Sequence, residues 1–435
     1  MQPLQKGDKK LLNAWAFYDW ANSVYSLVIT SAIFPIYYSA IFKIRGNHYV
    51  DILGYHFKDT AVISFVTAIA FVIVALISPI LSGIADYVGN KMAFLRFFCY
   101  MGGVACIGLY WFDSDNFFLS FVIYLLGLIG FWGSLVFYNS YLPDIAYPEQ
   151  QDAVSARGFS MGYLGSTLLL LVNLGMVMSV DSNEKAIDMM RYSFVMTGVW
   201  WIGFSHITYY YLPKGISTGN KVTRAVILDG FHELQLVWKE LKKNLALKRY
   251  LASYFVFIMA VQTVMLVATY FGAEEISWKT DSQKTSGLII SILLIQLVAI
   301  VGAYFTSIAS RKFGNIKVLI FLNTCWAILC IVAFYVKTPI QFYGTAGFVG
   351  LVMGGIQSLA RSTYSKFLPE TTDTASYFSF YDVTEKIGIV IGMSIYGIID
   401  QITGTMRNSV LFLAVFFIIG LLLLLRVPRN KYTND

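Results

Sequence analysis

Long apolar runs, separated by short polar breaks, repeat from one end of this 435-residue chain to the other. A run of roughly 17 to 25 mostly apolar residues is the length a helix needs to cross a bilayer. A helix also satisfies its own backbone amides, each of which would cost several kcal/mol if left unpaired in hydrocarbon. The pattern predicts twelve spans, near 13–42, 60–84, 92–112, 116–138, 157–179, 190–212, 250–273, 285–309, 316–336, 341–364, 379–401 and 407–426. The first is too long for a signal-peptide core of about 7 to 15 residues and lacks a small-residue cleavage site, so it is expected to stay as an anchor.

Composition points the same way: 57% of the residues are apolar, 13% are charged and the mean hydropathy is +0.63. That balance excludes an ordinary water-soluble domain. Twelve spans put both termini on one side, and Lys and Arg mark the cytoplasmic side. The terminal segments and even-numbered loops hold 22 of the 32 basic residues and the odd-numbered loops 9, with Lys386 inside a span, so both termini are expected in the cytoplasm. The net charge of +7 is then a topology signal. No soluble domain gathers basic residues, so no nucleic-acid partner is expected. Cys99, Cys106, Cys325 and Cys330 sit among apolar neighbours without CxxC or Cys/His spacing, and the four histidines are scattered. The chain is expected to use packing thiols, no metal and no cofactor.

The longest cytoplasmic stretch, 213–249, separates six spans (1–212) from six (250–435). It carries eight basic and three acidic residues, and Ile227, Phe231, Leu234, Trp238, Leu241 and Leu245 make one apolar stripe at helical spacing. A basic amphipathic helix on the inner leaflet is predicted, and composition favours a passive tether over a coordinating linker. GIADYVGNKMAFL (83–95) is echoed by IASRKFGNIKVLI (308–320), and NSYLPD (139–144) by YSKFLPE (364–370), at offsets of 225 and 226. Two echoes at nearly one offset suggest a duplicated six-helix unit, the plan of major facilitator transporters.

Gly83, Asp86, Gly89 and Lys91 resemble the major facilitator signature between the second and third spans, with Tyr87 and Asn90 where that signature usually has basic residues. Glycine allows the tight turn, Asp86 is expected to cap or salt-bridge a neighbouring helix end, and Lys91 to meet anionic lipid. A gating role ranks ahead of a simple positive-inside turn. YDWANSVY (18–25), FYNSYLPDIA (137–146), SARGFSMGYLGS (155–166), GGIQSLARSTYSKFLPE (354–370) and YFSFYDVTEKIG (377–388) are similar to the vacuole-effluxer-like family of the major facilitators. The resemblance implies an all-α multi-pass membrane protein of twelve transmembrane helices in two pseudo-symmetric halves. It also implies a solute transporter, since eukaryotic members export amino acids from the vacuole. Compact loops favour a bacterial cytoplasmic membrane, where the chain is expected to work as a monomer among lipids.

Within the spans, polar groups share faces. On the first helix Asp19, Asn22, Ser26 and Thr30 fall in an arc of about 80° at 100° per residue. Counting about 20 to 25 residues back from Phe42 sets the inner boundary between Ser23 and Tyr18, which puts Asp19 at the inner mouth. A buried carboxylate costs roughly 2.5 to 3.5 kcal/mol on insertion scales and needs a partner or a proton. Asp19 is therefore read as a gate or proton group, with Asn22, Tyr25 and Ser26 as substrate candidates. On the eleventh span Asp382, Glu385 and Lys386 share a face; Asp382 and Lys386 can pair, whereas Glu385 would need Arg361 or a proton. Arg361, one turn past Gln357, is either a bidentate receptor for a substrate carboxylate or a cation at the membrane edge. Asn139 and Arg157 stand between substrate contact and helix capping.

These features predict a secondary transporter of a small polar solute, amino acids in the first place, coupled to protons through Asp19, Asp382 and Glu385. A sugar or other cation symporter, or a lipid flippase, remains open; sodium dependence and lipid scrambling would separate them. No nucleophile with a placed base appears, so an enzyme is not expected.

Overall fold

A computed structural model describes residues 4–45, 49–52, 55–113, 116–215 and 235–428. The first rod runs as α1 (Lys9–Val24), a π-helical stretch (Tyr25–Ala32) and α2 (Ile33–Arg45). A small antiparallel hairpin, β1 (Tyr49–Ile52) and β2 (Tyr55–Lys58), pairs Val50 with Phe57. There follow α3 (Asp59–Val88), α4 (Lys91–Gly108), α5 (Phe117–Ile145), α6 (Pro148–Met178), α7 (Asn183–Tyr211), α8 (Leu245–Glu275), α9 (Asp281–Phe313), α10 (Asn315–Tyr335), α11 (Pro339–Phe367), α12 (Thr374–Thr403) and α13 (Met406–Leu424).

Each expected span thus has a long helical rod among the described residues. Ten of these are long and apolar enough to cross a membrane, and α7 and α11 are not among those ten. The chain is a multi-pass membrane protein. Exposed Phe65, Leu76, Val104, Leu171, Phe321 and Ile402 show why: its outer surface carries many large apolar side chains, which suits lipid rather than water.

The core divides in two. One cluster runs from Leu11 to Leu212 and takes in Ala375; the other runs from Val237 to Val427 and takes in Tyr163. Gly89 and Gly314, the glycines at the 225-residue offset, both adopt a left-handed backbone (φ 70° and 91°) between consecutive helices. The second echo is looser, because Pro143 lies inside α5 while Pro369 lies beyond the end of α11.

Three expectations change. The eleventh span begins at Thr374 rather than 379, because Asp86 supplies its amino-terminal cap (below). The π stretch interrupts the first helix where a regular one was expected. Of the amphipathic linker helix, 216–234 lies outside the described residues. Over the short helix 235–243 it is Val237 and Leu241 that are buried, while Trp238 is 44% exposed and lies against Phe380 with the rings tilted at 31°.

Candidate functional site

The polar contacts between the two core groups gather at the end of the bundle that carries the amino terminus. Lys6 Nζ and the Gly7 amide reach Pro143 O and Ile145 O, fixing the terminal segment beside the foot of α5.

Deepest lies a guanidinium plug. Arg361, near the end of α11, is 3% exposed and enters a socket made by α1, α5 and α6. Its Nη2 donates to Asp19 Oδ2 (3.2 Å) and Ser155 O (3.0 Å), its Nε to Ser155 Oγ (2.9 Å) and its Nη1 to Asn139 Oδ1 (3.2 Å). The guanidinium centre stands 4.2 Å from the Phe159 ring centroid, 4.8 Å from Trp15 and 5.6 Å from Tyr138. Aromatic faces attract a desolvated cation, so the socket matches charge with both carboxylate and ring. Tyr138 stacks on Trp15 at 4.5 Å and donates its Oη to Asp19 Oδ2 at 2.9 Å. Gly158 leaves the room: a Cβ there would stand 2.4 Å from Asp19 Oδ2. Beside the plug, Ser155 Oγ donates to Ser358 O (2.7 Å) and Tyr163 Oη to Gln357 Oε1 (2.8 Å).

Nearer the bundle end lies an ion pair that sequence reasoning missed. Asp152 of α6 accepts from Lys366 Nζ (2.7 Å), Ser310 Oγ (2.9 Å) and Asn315 Nδ2 (2.9 Å). Asn315 also donates to Thr363 and accepts from Lys366. Both charged side chains are only 1% exposed. In sequence Asp152 looks like an ordinary acid in an early helical turn, and nothing local points to a partner 214 residues away.

The signature loop closes the same end. Asp86 accepts from the amides of Ala375 (3.3 Å) and Ser376 (2.7 Å), capping α12 as expected, where the unpaired amides of a helix start favour an anion. Lys91 does not turn to lipid: it pairs with Asp144 and bonds Thr374, because α5 and α12 bring a carboxylate and a hydroxyl beside it. Gly83 is buried, and Gly89 makes the turn into α4.

A second cluster sits on α12. Lys386 pairs with Asp382 at 2.7 Å and lies 3.5 Å from Glu385. Gln262 of α8 donates to Glu385. Glu385 is therefore partnered by Gln262 and Lys386 rather than by Arg361, whose donors are taken by the socket. Of the remaining candidates, Asn22 is buried with Nδ2 unpartnered, and Ser26 donates to Ser23 O. Tyr25 packs on Phe131 and Trp201 inside the first core group, away from α11 and α12. Arg157 is exposed and bonds Asn13, outside the socket. Among the described residues no group of three or more His, Cys, Asp or Glu is placed to hold a metal ion.

The family described as vacuole effluxer Atg22 like matches residues 7–435. The chain belongs to that family. An uncharacterized MFS-type transporter, YxiO of Bacillus subtilis (strain 168), is 29% identical over 99% of this chain and 98% of its own length. Autophagy-related protein 22-2 of Aspergillus oryzae is 22% identical over 88% of this chain and 76% of its own. Among solved structures, the proton:xylose symporter XylE bound to 6-bromo-6-deoxy-D-glucose superposes with a TM-score of 0.71 at 15% identity, covering 98% of this chain and 96% of XylE. The fold is that of the major facilitator superfamily, and the chain is a member of a transporter family.

Proposed function

We propose that the chain is a secondary active transporter that moves a small polar solute, amino acids being the first class to test, across a bacterial cytoplasmic membrane by alternating access driven by protons. The Arg361 plug carries this reading. A buried guanidinium from one core group, seated in a socket built by the other, is a contact that can be made or withdrawn as a unit. With both termini in the cytoplasm, the sealed end is the cytoplasmic one. Opening it would withdraw Arg361 and leave Asp19 with Tyr138 Oη alone. An ionised carboxylate in that setting calls for a proton or a cationic group, which makes Asp19 a gate that also senses protons. Arg361, once withdrawn, has its donors free for a carboxylate. Asn22, Ser26, Asn139 and Gln357 are the neighbouring polar groups available to a solute. The proton coupling in XylE's description supports protons on this fold.

The test is a labelled amino-acid panel in proteoliposomes with and without a pH gradient. Uptake or efflux that follows the gradient, and loses that dependence in Asp19→Asn, is the expected result. Unchanged gradient dependence in Asp19→Asn would remove its coupling role. Failure across the panel would remove the amino-acid assignment, and a sodium requirement would replace the proton.

A further inference from the structure

The cluster on α12 is one positive charge short. Two carboxylates, Asp382 and Glu385, face one ammonium, that of Lys386. Asp382 Oδ2 is buried and has no hydrogen-bond partner. A surplus anionic group inside a membrane-spanning helix needs a proton or a cation.

The surroundings suit an ammonium in particular. Lys386 Nζ lies 3.7 Å from the centroid of the Trp132 ring of α5, so the cradle of carboxylates and aromatic face already holds one such group. Its members differ in access: the side chain of Lys386 is 1% exposed, that of Asp382 6% and that of Glu385 14%. Glu385 is the most accessible of the three. Gln262 of α8 donates to Glu385 Oε1 and holds the carboxylate in place, while Oε2 faces Lys386. Tyr254 of α8 and Tyr381 of α12, their rings stacked at 4.2 Å, also face it. Asp86 of α3 is tied to the first amides of α12, and Arg407 of α13 is paired with Glu275.

We propose that this cluster is an exchange site at which a protonated primary amine of the substrate and a proton compete for Glu385, so that the chain works as an amine–proton antiporter. The proposal rests on the transporter reading above and gives it a substrate class and a coupling mode. In the exchange, the Glu385 carboxylic acid releases its proton to the aqueous side. The resulting carboxylate accepts hydrogen bonds from the incoming R–NH3+, and Lys386 stays with Asp382. One cation replaces another, and the charge of the cluster is unchanged.

Leucinamide, which carries the ammonium without a carboxylate, is the probe, and N-acetyl-leucinamide the control. With purified full-length protein in weak buffer, leucinamide is expected to raise the melting temperature and to release about one proton per molecule bound, while the control does neither. Glu385→Gln, equal in size to the native residue, should weaken binding about tenfold or more through loss of a charge-assisted hydrogen bond, and should abolish proton release. Glu385→Asp, which keeps the acid, should retain release. Binding of both compounds alike, binding of neither, amine binding without proton release, or Glu385→Gln behaving as the wild type would each overturn the proposal. If amino acids were not transported while leucinamide still displaced a proton, the amino-acid assignment would fall and this site would stand. Transport of amino acids with leucinamide silent would mean the reverse.

Discussion

Arg361 directs four hydrogen bonds into the other core group, and its loss should be felt mainly through what it leaves behind. Breaking a buried ion pair from one side costs about 3 to 5 kcal/mol, because the remaining charge is stranded. Arg361→Gln alone should therefore lower the melting temperature strongly, and the double variant Asp19→Asn with Arg361→Gln should recover much of the loss. Equal melting temperatures for the single and double variants would contradict the pairing. Arg361→Lys is not expected to substitute, since a point ammonium cannot reach Asp19, Asn139 and Ser155 together. Gly158→Ala should loosen the same pair, because its new Cβ meets Asp19 Oδ2. Gly175→Ala on the same helix meets nothing within 4 Å and should leave thermal stability unchanged. The residue types at this site are legible in the sequence, since an acid and an arginine in apolar spans are anomalies. Their partnership is not, because contact over 342 positions depends on how the helices are arranged. Asp382 with Lys386 was readable for the opposite reason: a four-residue spacing on one helix sets the contact locally.

Helix packing rests on small residues where backbones meet. At Gly350 and Gly354, one turn apart on α11, a Cβ would stand 2.5 Å from Ile295 O and 2.1 Å from Ala299 O of α9. Small residues four apart let membrane helices approach this closely. Gly354→Val should force α9 and α11 apart, at a cost of about 1 to 3 kcal/mol by the usual penalty for overpacking. Gly344→Val, near the start of the same helix and with nothing within 4 Å, is the control; equal melting temperatures for the two would count against the close approach. The positions of the spans were legible because hydrophobic length alone sets them. The π stretch was not, since Tyr25–Ala32 contains no Gly or Pro to mark an irregular turn. It rotates whatever follows Tyr25, so a polar face projected from Trp15 at a constant 100° per residue drifts from the real one beyond that point. Nor does the hairpin between α2 and α3 leave a hydrophobic trace of its own.

At the scale of the whole molecule, polar contacts bind the core groups at one end, among them the Arg361 plug, the Asp152–Lys366 pair, and Asp86 with Lys91 against the start of α12. Weakening them should favour opening at that end. Lys366→Met, which strands Asp152, should speed labelling of a cysteine placed at buried Ser362 by a reagent applied on the amino-terminal side. Unchanged labelling would show that the pair does not hold the end shut. The Asp152–Lys366 link also bears on how the protein is made. Lys366 follows its partner by 214 residues and Arg361 follows Asp19 by 342. At about 5 to 20 residues per second, Asp19 waits roughly 17 to 70 s for its cation to leave the ribosome. Until α11 arrives, the first six rods hold two carboxylates shaped for counter-charges that do not yet exist. Synthesis therefore passes through a period in which the early helices depend on protons, water or an insertion factor to keep those groups quiet. A chain stopped before α11 should be a ready target for membrane quality control.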